Sequence, residues 1–235
     1  MHVPFRSLAS RQPYGVAAAF LALVLAMGLL VLLPAQTQAA SPADEKMELV
    51  IQPYMEGYAD GTFGPERQVT RAEAAAMVAR LYGSGDAQGT ASYRDVPASH
   101  WAAGTIAWAD DKQLMVGYPN GDFRPNRSIT RAELASLLVR AAGHALPNAE
   151  DGEPFTDMDG HWAAANVAQL STAGIIGGYV DGSFRPDEAI TRAESVAMLN
   201  RLLGMNGDSD SAPLYSDVPA RHWAYAAIQA ASIRS

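Results

Sequence analysis

The sequence predicts a mainly α protein: three helix-turn-helix repeats closed into a pseudo-threefold bundle. Three observations support this fold class. The same blocks of residues recur with a period of about sixty residues, which indicates stacked repeats. Each repeat carries apolar residues at the spacing of one helix face, as in Met77, Val78 and Leu81. The repeated part opens with the second half of a unit and closes with a first half, so we expect the last helix to complete the first unit.

The composition is that of a folded protein and excludes several classes of function. Of 235 residues, 49% are hydrophobic and 18% are charged, which is enough apolar material for a core. The absence of cysteine excludes a disulfide scaffold, a cysteine zinc site and a thiol nucleophile. The formal net charge of −8 argues against a nucleic-acid partner, because phosphate binding needs a basic face.

The N-terminal residues 1–39 have the pattern of a secretory signal peptide. Two arginines precede the apolar run 16–33, and a proline and a short stretch of small and polar residues follow it. The run is also about long enough to cross a bilayer, which takes ~20 residues, so an uncleaved membrane anchor stays open as an alternative. In both cases we expect the rest of the chain to be exported, with membrane contact only through this segment.

The remaining residues, 40–235, are predicted to form one domain of repeats. We place the repeats at about 47–92, 93–153 and 154–212, with a closing half-repeat at 213–235. A closed ring needs no terminal capping units, which open repeat arrays require. We therefore expect a monomer with internal pseudo-trimer symmetry, in which the two ends of the domain lie close together.

The first half of each unit is predicted to form a helix that starts near a His-Trp-Ala sequence. An aromatic residue and an aspartate precede this sequence, and an apolar residue follows the tryptophan by five positions. The blocks lie at 93–102, 155–163 and 215–224.

A Gly-Tyr segment with an Asp-Gly or Asn-Gly turn follows the first helix. Such turns tolerate positive φ, and a phenylalanine and a proline come directly after. The copies lie at 57–63, 117–123 and 178–184. Asp60 and Asp181 supply the turn acid in copies one and three, and Asn120 takes that place in copy two.

The second helix of each unit starts at a Thr-Arg-Ala-Glu sequence, which has the pattern of a capping box. The copies lie at 70–73, 130–133 and 191–194. A capping box explains the threonine and the glutamate but not the arginine. The first turn of a helix is positive, so a cation there is disfavoured by ~0.3–1 kcal/mol. The same disfavoured choice recurs at Arg71, Arg131 and Arg192.

Two explanations for these arginines stay open. Each arginine could pair with a local acid such as Asp95, Asp157 or Asp217 and join neighbouring units. Alternatively, the guanidinium and the free N–H groups of the helix start could together hold an anion, and a planar guanidinium suits a carboxylate or a phosphate. The tryptophans pose a similar choice between core residues and the wall of a groove that holds sugar rings; they are Trp101, Trp162 and Trp223.

Taken together, these three motifs resemble the S-layer homology (SLH) family over essentially residues 47–235. The resemblance implies a non-catalytic, cell-envelope anchoring module with grooves between its units. Such modules bind secondary cell-wall polysaccharide or a peptidoglycan-linked polymer, often through pyruvate ketal groups, and need no cofactor. It also implies a secreted protein of the cell wall or S-layer. Ligand binding is then assigned to Arg71, Arg131, Arg192, Trp101, Trp162 and Trp223, with Asp60 and Asp181 as further candidates.

One departure from the family pattern concerns the first groove. Gly64 stands where copies two and three have Arg124 and Arg185, so we expect the first groove to be electrostatically weaker.

Three other functions are alternatives to anchoring. A protein–protein adaptor of the cell surface could use the same scaffold. An enzyme is disfavoured because the sequence lacks the usual nucleophile, metalloprotease and phosphate-loop motifs. A metal site could form if His100, His161 and His222 converged, although a histidine at each helix start has a simpler structural explanation.

Overall fold

Helices supply the regular structure of the chain, as the sequence predicts. The computed structural model describes residues 52–148 and 155–232, which lie in one compact unit. The signal-peptide prediction for residues 1–39 concerns residues outside the described ranges. Within those ranges there is no β-sheet, only isolated bridges. The helices are α1 (Arg71–Leu81), α2 (Ala103–Asp111), α3 (Arg131–Ala142), α4 (Ala164–Thr172), α5 (Arg192–Leu203) and α6 (Tyr225–Ala231), with a 3₁₀ turn at Gly143–Ala145 after α3.

The three capping boxes start α1, α3 and α5 and are confirmed in full. Thr70 has an extended backbone (φ −82°, ψ 161°), and its side chain accepts from the N–H of Glu73. The Glu73 carboxylate accepts in return from the N–H of Thr70 at 2.8 Å. Thr130 and Thr191 repeat this arrangement, which fixes the first turn of each helix in the same way.

The other three helices begin directly after His-Trp-Ala and have a different cap. The Nδ1 atom of each histidine accepts from the backbone N–H two residues later, at 3.1–3.2 Å. This contact satisfies one of the N–H groups that a helix start leaves without a partner. The histidines therefore have a structural role at His100, His161 and His222.

The helices pack in sequential pairs over an apolar core. The pairs are α1 with α2, α3 with α4 and α5 with α6, so each Thr-Arg-Ala-Glu helix packs against the His-Trp-Ala helix that follows it. Small residues such as Ala74 and Ala75 are fully buried in α1, which allows close approach of its partner. The turn phenylalanines are also fully buried: Phe63, Phe123 and Phe184.

Backbone hydrogen bonds join the three copies in a closed cycle. The N–H of Ile129 donates to the carbonyl of Val69 at 2.9 Å, and the N–H of Ile190 donates to Ile129 at 3.1 Å. The N–H of Val69 then donates to Ile190 at 3.0 Å, which returns to the start. Three repeats around a common centre would make this pattern. Full pseudo-threefold symmetry stays a prediction.

The C-terminal half-repeat supplies the contacts that close the cycle onto the first turn. The N–H groups of Phe63 and Gly64 donate to the Asp217 carboxylate at 2.8 and 2.7 Å. The N–H groups of Tyr54 and Met55 both donate to the carbonyl of Ala231, at 2.9 Å each. Asp95 and Asp157 make the corresponding carboxylate contacts to the second and third turns.

Candidate functional site

The three arginines of the Thr-Arg-Ala-Glu motif are buried between copies. Arg71, Arg131 and Arg192 are only 6%, 6% and 4% exposed. Each side chain leaves its own helix and reaches the turn of the next copy, where Nε donates to the carbonyl of the turn phenylalanine. The bonds run from Arg71 to Phe123 at 2.8 Å, from Arg131 to Phe184 at 2.8 Å, and from Arg192 to Phe63 at 2.9 Å.

The acids that face these arginines are the capping-box glutamates of the next copy. The N–O distances are 3.9 Å for Arg71–Glu133, 3.1 Å for Arg131–Glu194 and 3.7 Å for Arg192–Glu73. The explanation in which each arginine pairs with an acid and joins neighbouring units is confirmed, but the acids are these glutamates and not Asp95, Asp157 and Asp217. Those aspartates accept from backbone N–H groups of the turns instead. Burial raises the pKa of the Asp95 carboxyl, but the hydrogen bonds from Phe123 and Arg124 outweigh it and lower the pKa overall.

The helix-start N–H groups are already used within the fold. The N–H of Arg71 donates to the carbonyl of Arg127 at 2.9 Å, and that of Ala72 to Pro125 at 3.0 Å. The N–H of Glu73 donates to the Thr70 hydroxyl. Helices α3 and α5 repeat these bonds. The expectation that free N–H groups of the helix start hold an anion is therefore wrong, because the adjacent copy occupies them.

The buried guanidinium groups also lie over the turn tyrosines. The guanidinium carbon of Arg71 is 5.0 Å from the ring centre of Tyr118, and the other two pairs are at 4.9 Å. Burial lowers the pKa of Arg71 and Arg192, and the neighbouring tyrosine and glutamate oppose that shift. An arginine stays charged at neutral pH, so these side chains place fixed positive charge beneath the surface.

An open groove lies above each buried arginine. Groove 1 has a volume of about 160 Å³, groove 2 about 210 Å³ and groove 3 about 220 Å³. Glu56, Tyr58, Glu73, Arg80, Trp101 and Arg192 line groove 1. Arg71, Val116, Tyr118, Glu133, Arg140 and Trp162 line groove 2. Arg131, Gly177, Tyr179, Glu194, Arg201 and Trp223 line groove 3.

The three tryptophans form exposed walls of these grooves. Trp101, Trp162 and Trp223 are 64%, 61% and 63% exposed, so the interpretation as core residues is wrong. Each ring packs against the histidine before it, with ring centres 5.4–5.9 Å apart. An exposed, laterally supported indole offers a flat apolar face to a ligand. Ligand contact by the tryptophans stays a prediction.

The aspartates of the turns serve the turns themselves. The Asp60 carboxylate accepts from the hydroxyl of Thr62 at 2.6 Å and from its N–H at 3.0 Å. The hydroxyl of Ser183, followed by its N–H and Arg185, holds the pKa of the Asp181 carboxyl down at about 2. Neither aspartate lies among the residues that line the three grooves. Ligand binding by Asp60 and Asp181 stays a prediction without a groove contact.

A second set of arginines lines the grooves and escaped the sequence analysis. Arg80, Arg140 and Arg201 each follow the motif arginine by nine residues. Arg140 and Arg201 are exposed and Arg80 is partly exposed, in contrast to the buried set. The repeated spacing is the signal that could have found them. A cation in the last turn of a helix is expected on electrostatic grounds, so it attracts no attention by itself.

A larger cavity of about 890 Å³ lies beside groove 1 and shares Glu56 and Arg80 with it. Its other walls are mainly polar and glycine-containing segments, including 83–86 and 206–208. The repeated arrangement of arginine and tryptophan, rather than volume, marks the grooves as the candidate site. Within the described ranges no cluster of three or more His, Asp or Glu side chains is arranged to hold a metal.

The fold and the grooves define a helical repeat protein with three related grooves between its copies. Residues 54–75, 92–135 and 154–194 match the family model of the S-layer homology domain. These three segments of the chain belong to that family. Among the described helices, none has both the length and the apolar character needed to cross a membrane.

Several curated proteins are similar to most of this chain. Cell surface glycoprotein 1 of Acetivibrio thermocellus is 40% identical over 184 residues, which is 73% of this chain and 8% of the relative. The cellulosome-anchoring protein of the same organism is 38% identical over 74% of this chain and 40% of its own length. An uncharacterized cell wall amidase of Bacillus anthracis is 32% identical over 69% of this chain and 31% of its own length. The chain thus spans less than half the length of each relative.

Proposed function

We propose that this protein is a non-catalytic anchoring module of the cell envelope. Its ligand would be an anionic secondary cell-wall polysaccharide or peptidoglycan-linked polymer that carries pyruvate ketal groups, and its place the cell wall or S-layer outside the cell. The observation that carries the proposal is the repeated groove, which is lined in each copy by an exposed tryptophan and two arginines. The names of the similar proteins, which refer to the cell surface, cellulosome anchoring and the cell wall, support an envelope location.

The two arginines of a groove have different roles in this proposal. The buried one, such as Arg131, is held by the Phe184 carbonyl and by Glu194, so it contributes positive potential without leaving its position. The exposed one, such as Arg201, donates from Nη1 to the carbonyl of Ile175 at 3.4 Å and keeps its other N–H groups for paired hydrogen bonds to a ligand carboxylate. The ketal carboxylate would therefore meet the second arginine, while the buried arginine organises the floor of the groove.

The tryptophan and the repetition of the site complete the binding mode. A sugar ring would stack on the exposed face of Trp162 or Trp223, where burying the apolar ring surface is favourable. Each groove is small, so one sugar residue with its ketal is the expected occupant. Several weak sites on one molecule bind a repeating polymer more tightly than any of them alone, because later contacts form at high effective concentration.

Retention on isolated cell-wall sacculi tests this function. The secreted protein is incubated with sacculi before and after mild acid removal of pyruvate, and bound protein is measured after washing. We expect retention on native walls and its loss on stripped walls. The Arg140→Ala, Arg201→Ala double variant should lose retention, and Arg94→Ala is a matched control because Arg94 is exposed, lies outside the grooves and pairs with Asp122 at the surface. Equal retention on stripped walls would contradict the proposal.

A further inference from the structure

The residue before the Gly-Tyr segment differs among the three grooves. It is Glu56 in groove 1, Val116 in groove 2 and Gly177 in groove 3. The Glu56 carboxylate lies 3.2 Å from the Nη2 atom of Arg80, which is the groove 1 counterpart of Arg140 and Arg201. An acid of the chain itself therefore occupies the position at which a ligand carboxylate would meet Arg80.

The net charge of the lining residues therefore differs among the three grooves. Grooves 2 and 3 are each lined by two arginines and one glutamate, so each keeps an excess positive charge. Groove 1 is lined by two arginines and two glutamates and is formally neutral. It also has the smallest volume of the three, about 160 Å³. An incoming carboxylate would meet a like charge in groove 1 and a net cation in the other two.

The absence of an arginine at Gly64 does not account for this difference. In grooves 2 and 3, Arg124 and Arg185 lie over the turn tyrosines at 4.0 and 3.9 Å, each with a positive φ of 59°. In groove 1, Arg67 lies over Tyr58 at 4.3 Å, and its counterpart Arg127 lies over Tyr118 at 5.7 Å. Arg67 thus offsets the missing arginine relative to groove 3, where Glu188 stands at its position, but not relative to groove 2, which has both Arg124 and Arg127. Glu56 remains as the charge that sets groove 1 apart.

Taking the proposed function as its basis, we infer that only grooves 2 and 3 bind the carboxylate of the ligand. Groove 1 is closed to anions by Glu56, which acts as an internal counter-ion for Arg80. Glu56 is then a specificity-determining residue, because it determines how many of the three grooves bind the ketal carboxylate. Its backbone carbonyl accepts from Arg192 at 2.6 Å, and a side-chain substitution leaves that contact in place.

Calorimetric titration with a defined probe tests the inference. The probe is a methyl hexosaminide that carries one 4,6-linked pyruvate ketal, added to the secreted protein. We expect two sites in the wild type and none in the Arg140→Ala, Arg201→Ala double variant. A triple variant that adds Glu56→Val, the residue found in groove 2, to the double variant should bind the probe at one site. Its affinity for the probe should be about tenfold or more above that of the double variant. Glu56→Gln should give a smaller gain in the same direction, since it removes the charge and keeps the shape.

Two controls separate the charge in the groove from other effects. Asp111→Asn removes one exposed negative charge outside the grooves and should leave the double variant without a site. The same probe without the ketal tests whether affinity depends on the carboxylate. Three equal sites in the wild type, or a site in the double variant that Glu56→Val does not strengthen, would overturn the inference and leave the proposed function intact. A wild type with no ketal-dependent binding would overturn the proposed function itself, and this inference with it.

Discussion

Removing the Asp217 carboxylate should destabilise the whole domain, although Asp217 lies near the C-terminal end of the described chain. Its two oxygens accept from the N–H groups of Phe63 and Gly64, more than 150 residues earlier in the sequence. In Asp217→Ala both donors lose their partner, and Phe63 is fully buried. The perturbation thus breaks one of the contacts through which the closing half-repeat reaches the first unit.

The size of the effect follows from the two hydrogen bonds. Each contributes about 1–1.5 kcal/mol net, so the loss is about 2–3 kcal/mol in the free energy of unfolding. For a domain of this size each kcal/mol moves the melting temperature by about 2–4 °C, which gives a decrease of about 4–12 °C. Asp217→Asn keeps one acceptor oxygen and should lose about half as much.

Urea unfolding followed by tryptophan fluorescence and circular dichroism measures this change. Asp95→Ala is the matched comparison, because Asp95 makes the same two bonds to Phe123 and Arg124 between consecutive copies. If the cycle is closed in solution, the two variants lose similar stability in one cooperative transition. A loss below about 0.5 kcal/mol for Asp217→Ala, beside a full loss for Asp95→Ala, would refute the reasoning, because surface changes that break no contact stay within that range.

Three further predictions concern the grooves and the copy junctions. Arg131→Ala should cost about 2–4 kcal/mol in urea unfolding, because it leaves Glu194 and the Phe184 carbonyl without their charged partner; wild-type stability would contradict this. Trp162→Ala should reduce wall retention and shift the melting temperature by less than about 2 °C, since an exposed ring adds little to the core. Acid should destabilise the fold through Asp95 and Asp157: their pKa values are lowered in the folded state, so their contribution is complete at neutral pH and is lost as the pH falls below 3.8. Melting temperatures measured from pH 6 to pH 2.5 test the last prediction, and a flat profile would contradict it.

The local features of the fold could be predicted from the sequence because their causes are local. A capping box needs residues three positions apart, so Thr70 and Glu73 are enough to place the start of α1. Apolar spacing gave the buried face of the same helix, and the repeats multiplied each signal by three. The partners of Arg71 were not predictable in this way. A period shows that copies are equivalent, but it does not show which copy lies next to which side chain.

The sequence predicted which residues lie at the grooves more accurately than it predicted what each of them contacts. The sequence singled out the motif arginines because they oppose the helix dipole, and the structure explains that choice by a bond to the neighbouring copy, as for Arg192 and Phe63. Exposure of Trp223 could not be read from its sequence neighbours, since a helix-start indole can face either way. Arg80 and its counterparts were overlooked because their position at a helix end is electrostatically ordinary.

The cycle of bonds through Val69, Ile129 and Ile190 has a consequence for how such a protein can change over time. In an open array, a unit can be duplicated or deleted and the remaining units still stack. Here the first copy donates back to the third, so loss or gain of one unit would separate a donor and an acceptor of this cycle from their present partners. The cycle therefore disfavours a change in the number of units, whereas single side chains can change within the same frame.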